Sequence, residues 1–145
     1  MLIDITYDRK QKEYQWTDPN SGEILTAPSK CKGDLFRAAV GLLDPALYDA
    51  VEAVASKHPQ LERVAWKAAE IVVSNGVEIL GDDNLAVLAQ VASSDGLGRY
   101  AVEHDYSCNC EHYTSLAAPM TSSGRRYCKH GLATALYLKT KESRF

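Results

Sequence analysis

The 145-residue chain has no run of about 18 apolar residues, which excludes a helical membrane span. Its opening, Met-Leu-Ile-Asp-Ile-Thr-Tyr-Asp-Arg-Lys, carries neither a basic leader nor an apolar h-region. That argues against a secretory signal and points to a reducing, cytoplasmic setting. Internal repeats and low-complexity tracts are absent, so a solenoid or a disordered tail is not expected. No Gly-x-x-x-x-Gly-Lys-[Ser/Thr] string occurs, nor a recognisable nuclease set, which removes a P-loop ATPase and leaves little for catalysis. What is present is a globular composition, 46% apolar and 24% charged. A chain of this length buries roughly 68–70% of its unfolded surface, so it needs no staple merely to fold.

The net charge of −3 is unevenly placed. Residues 99–145 hold seven Lys/Arg against four Asp/Glu, a surplus of +3, whereas residues 1–98 hold nine against fifteen. A basic C-terminal third hints at an anionic partner.

The pattern predicts an α+β fold. Leu2, Ile3, Ile5 and Tyr7, then residues 14–17 and 24–26, read as a small antiparallel meander over residues 2–27, with Asp18-Pro19-Asn20-Ser21-Gly22 as its turn. Three short helices follow. Asp34 is placed to cap the first, which carries Leu35, Phe36, Ala39, Val40 and Leu43. Asp44-Pro45 opens the second with an N-cap and a first-turn proline, and Leu47, Tyr48, Val51, Val54 and Ala55 form its stripe. Pro59 opens the third, with Leu61, Val64, Ala65, Ala68 and Val72 on one face and Asn75-Gly76 as its stop. Residues 85–91 and 99–105 alternate as a β-hairpin, and residues 131–139 read as a short amphipathic helix with Leu132, Ala135, Leu136 and Leu138 inward.

Three of the four cysteines lie in one stretch: Cys108-Asn-Cys110, seventeen residues, then Cys128-Lys-His130. Two thiols two positions apart reach one pocket across a tight turn, and a thiol and an imidazole at a helix start can close the tetrahedron. Zn²⁺ accepts this set with arms of about 2.3 Å to sulfur and about 2.0–2.1 Å to nitrogen. With all four positions filled by protein, the ion is structural and not catalytic. Two disulfides are the competing arrangement, opposed by the strain of a Cys-x-Cys bridge and the missing secretion signal. Unrelated buried cysteines are a second, and His112 in place of one ligand is a third. Cys31 reads as a free structural thiol, and His58 and His104 as surface or strand residues.

A hairpin ending in Cys-x-Cys, a loop, and Cys-x-His opening a helix resembles the SWIM zinc finger. The match runs over roughly residues 85–140 and includes Tyr100, Val102 and the string Tyr127-Cys128-Lys129-His130-Gly131-Leu132-Ala133. The resemblance implies a ββα arrangement around one zinc, serving DNA binding or protein contact beside helicase-like ATPases, transposases or recombination accessory proteins. It divides the chain into residues 1–82, a mixed β/helical region of no named family, and residues 83–145, the finger.

A zinc with three thiolates carries one net negative charge. Arg125, Arg126 and Lys129 flank it, either as a nucleic-acid-contacting patch extended by Lys139, Lys141 and Arg144 or as cations that offset the cluster. Tyr113 and Tyr127 suit stacking on unpaired bases. The expected function is a non-catalytic zinc-binding module that contacts DNA, with a protein adaptor as the alternative and no small-molecule substrate or membrane partner. A remote third reading places Mg²⁺ on Asp82, Asp83 and Asp95 for phosphoryl chemistry; ordinary turns explain the same residues. Zinc should also organise residues 111–127, whose main apolar residues are Leu116, Ala117, Ala118 and Met120.

Overall fold

A computed structural model describes residues 3, 5–18, 21, 23–80, 86–93 and 97–142. The first apolar alternation folds as a hairpin of β1 (Ile5–Asp8) and β2 (Glu13–Trp16), paired Ile5 with Trp16 and Tyr7 with Tyr14. The Asp8 carboxylate accepts the Lys10 and Gln11 amides in the turn. The predicted third strand is not a strand. Residues 24–29 run along β2 but touch it only at two isolated bridges, Thr17 with Ile24 and Tyr14 with Ser29. Pro28 lies between these bridges and has no N–H to donate, and Ile24 and Leu25 remain exposed, so nothing holds a continuous ladder there. The N-terminal meander is therefore a two-stranded sheet. Of its predicted residues, Leu2, Pro19, Asn20 and Gly22 lie outside the described ones.

The helices follow their stripes. Helix α1 (Lys32–Leu43) starts three residues earlier than a cap at Asp34 requires: Cys31 occupies the N-cap, and Asp34 sits in the first turn, where its charge suits the helix dipole. Leu43 is exposed. Helix α2 (Pro45–Lys57) has its predicted cap, the Asp44 carboxylate accepting from the Leu47 amide at 3.1 Å. A 3₁₀ turn, Pro59–Leu61, leads into α3 (Glu62–Val73). Every residue of α3's predicted apolar face is buried, and Trp66, Ala69 and Val73 join it. The stop at Asn75 uses a left-handed backbone, φ 58°.

The hairpin of β4 (Val87–Ala92) and β5 (Arg99–Glu103) carries an additional strand, β3 (Val77–Ile79), which pairs with β4. Val77 opposite Val91 and Ala89 opposite Val102 turn one buried face inward. A one-turn helix that the pattern did not announce, α4 (Glu111–Thr114), follows β5. The last helix, α5 (Lys129–Tyr137), begins two residues before the predicted start and runs on as a π-helical turn, Leu138–Glu142. α5 packs against α3 and also touches all three strands of the sheet. One hydrophobic core thus runs from Ile3 and Trp16 through α1–α3 to Leu132 and Leu136. The result is a mixed α/β structure with two small antiparallel sheets. Among the described residues, no helix is long and apolar enough to cross a membrane.

Candidate metal centre

The site is built by one tight reversal and one helix start. After β5 the chain turns back at residues 104–107: the Tyr106 amide donates to the Glu103 carbonyl, and Tyr106 adopts a left-handed φ of 67°. Ser107 donates to Asp105 through its hydroxyl at 2.6 Å and its amide at 3.0 Å. Those bonds hold the Asp105 carboxyl below the usual carboxylate range. The reversal sets Cys108 against Val102. Asn109, between the two cysteines, then acts as a strand residue: its side-chain oxygen accepts the Ala101 amide at 2.9 Å and its own amide donates to the Ala101 carbonyl. Cys108 and Cys110 are fixed from the middle by that pair of bonds.

Cys128 is the N-cap of α5, its sulfur accepting the Gly131 amide at 3.4 Å. A helix N-terminus favours negative charge, which is why a thiolate suits this position. Arriving there, residues 119–127 double back on themselves, with Met120 bridging Arg126 and the Tyr127 amide donating to the Pro119 carbonyl.

Cys108, Cys110, Cys128 and His130 are all buried, and their ligand atoms lie within 4.8 Å of one another. His130 Nδ1 is 3.8 Å from the sulfurs of both Cys108 and Cys128. A tetrahedral zinc with the arms given above has ligand–ligand edges of roughly 3.6–3.8 Å, so the four side chains fit one ion. His112 is exposed and stands outside the cluster. His130 Nε2 is buried without a hydrogen-bond partner among the described residues; the imidazole packs instead on Tyr100, ring centroids 4.5 Å apart. A cleft of about 260 Å³ opens onto the cluster: Cys110, Cys128 and His130 line it together with Tyr100, Glu111, His112 and Lys129.

No protein-family profile, curated protein or solved structure matches this chain. The chemistry must therefore be read from the site itself.

The sulfurs are electrostatically unequal. Cys128 is lowered to about 4, first by the hydrogen bond from the Cys108 thiol and also by His130 and the Gly131 amide. Cys108 is driven up because it donates that bond and is buried, and Cys110 is raised by burial. Without an ion, then, the cluster holds one thiolate and two thiols at neutral pH. A divalent cation must displace the protons of Cys108 and Cys110. Apparent affinity is expected to rise roughly 100-fold per pH unit near neutrality, one factor of ten per proton, and to fall as pH falls. Competition titrations with a chromophoric chelator at two pH values check this; affinity independent of pH contradicts it.

The predicted cations have different fates. Arg126 is half-buried and spent internally, its guanidinium donating to the Leu116 and Ala118 carbonyls. Arg125 is exposed and reaches the Tyr127 hydroxyl at 3.5 Å. Lys129 is half-buried in the first turn of α5. Lys141 pairs with Asp44 at the start of α2. Tyr113 and Tyr127 are half-buried, and Tyr127 packs on Tyr106. Arg144, Asp82, Asp83 and Asp95 lie outside the described residues. Asn109 and Gly131 carry the geometry of the site and were not singled out by spacing; Asn109 was readable only as the residue between two ligands.

Proposed function

We propose that the protein is a non-catalytic, zinc-organised binding module whose C-terminal third, in the ββα manner of the SWIM finger it resembles, presents a surface to DNA. The observation that carries the zinc reading is the buried cluster of three sulfurs and one imidazole nitrogen gathered within 4.8 Å. With four protein donors the ion has no open position, so its role is to fix shape and not to activate water. Metal analysis of the natively purified chain should return about one zinc per chain; a content near zero removes the reading.

The DNA reading is supported by the basic surplus of residues 99–145 and by Arg125 and Lys129 beside the cluster. With Arg126 turned inward, about two phosphate contacts remain, so log K against log salt should fall with a slope of roughly −2 on duplex DNA. Arg125→Ala should reduce that slope by about 1. No binding to single- or double-stranded DNA at low salt ends this reading. Protein contact is the second reading. It is favoured by Leu116 and Met120, which stand 68% and 47% exposed on the loop the ion would order.

A further inference from the structure

Away from the metal cluster, a cleft of about 930 Å³ opens between the first strand, the start of α1 and the exposed side of α3. Its apolar lining is Ile3, Ile5, Phe36 and Trp66; Lys32, Arg37, Arg63 and Lys67 supply four cations against Glu62 and Glu70. Arg37 is partly committed, stacking 5.0 Å over the Trp66 ring and pairing with Glu62 at 3.5 Å. Lys32, Arg63 and Lys67 make no ion pair among the described residues. Trp66 is 7% exposed and its indole N–H is buried with no acceptor among the described residues, although buried indole N–H groups ordinarily find one.

We propose that this cleft binds a small organic anion with an apolar, ring-bearing body. The size is that of small-ligand pockets, roughly 300–1,000 Å³, which combine apolar walls with a few convergent polar groups. The apolar residues would take the body, and the unpaired cations the charged group. The excess of positive over negative side chains selects an anion, because a neutral apolar guest would leave those cations beside a drier surface without a counter-charge. An acidic peptide also offers negative charge, but a cleft of about 930 Å³ is the size of one small ligand and not of an extended segment.

The test uses the zinc-loaded full chain and anilinonaphthalene sulfonate as the probe. One saturable site is expected, with the Trp66 indole N–H resonance moving on titration and that of Trp16 unmoved. Arg63 and Lys67 are exposed, so the double variant Arg63→Glu/Lys67→Glu should keep its thermal midpoint. It should bind roughly ten-fold more weakly, as should the uncharged phenylnaphthylamine of the same body on the native protein. Equal binding of the neutral analogue, no effect of charge reversal, a moving Trp16 resonance, or binding of an acidic peptide in place of the probe each overturns the proposal. None of these outcomes depends on the metal reading.

Discussion

Removing the metal by chelation, or its ligand by Cys110→Ala, is expected to abolish amide-exchange protection over residues 104–128 and to bring zinc content to zero. Structural zinc contributes about 10–16 kcal/mol of apparent binding free energy, as large as the whole net stability of a domain, about 5–15 kcal/mol. Little else can replace it. Of Leu116, Ala117, Ala118 and Met120, only Ala118 is buried. The hydrogen bonds of Arg126 to the Leu116 and Ala118 carbonyls tie the loop to itself, and among the described residues a bond from the Gln60 side chain to the Met120 carbonyl ties it to the 3₁₀ turn before α3. Helices α1 to α3 pack on one another and should keep most of their helical signal. Because α5 leans on α3, the thermal midpoint should nonetheless drop by at least about 10 °C. Cys31→Ala, at an exposed thiol, should change none of these readouts. Unaltered exchange protection in the Cys110 variant would show that the loop is held by packing and not by an ion.

Sequence pattern located the helices because each stripe is long enough to define a face and because Asp44-Pro45 and Asn75-Gly76 carry unambiguous stop and start chemistry. The four clustered side chains were legible for a related reason: two short spacings, one across a turn and one at a helix start, leave few ways to arrange them. What escaped is set by partners distant in sequence. Val77-Glu-Ile79 is too short to announce a strand and becomes one only because β4 offers an edge. Arg126 looks like a phosphate ligand in a list of charges, yet its carbonyl acceptors at 116 and 118 exist only after the loop has folded back. The four cations of the α1–α3 cleft are spread over residues 32 to 67, with no spacing that would group them.

Gly131→Ala is the variant on which local and tertiary reasoning disagree in sign. Gly131 lies inside α5, where helix propensity alone favours alanine by about 0.8–1 kcal/mol. A Cβ at that position would stand 2.5 Å from the Tyr106 carbonyl oxygen. The obstacle is backbone and cannot rotate away. Tyr106 is pinned in its left-handed turn by its bond to Glu103, and the helix is pinned on the other side by Cys128 and His130. Overpacking of this kind costs roughly 1–3 kcal/mol and sometimes more, and here the shift would also stretch the Gly131 amide away from the Cys128 sulfur. The expected result is a melting temperature lower by about 5–10 °C, at the roughly 2–4 °C per kcal/mol of a chain this size, with weaker metal retention. Gly41→Ala is the matched control. It also lies within a helix, in the last turn of α1, but its Cβ would meet only the Tyr48 ring at 3.5 Å, so it should be neutral or stabilising by about 0.5–1 kcal/mol. If both variants melt above the native protein, the close approach of α5 to the turn at residue 106 is not how the two halves of the metal centre are brought together.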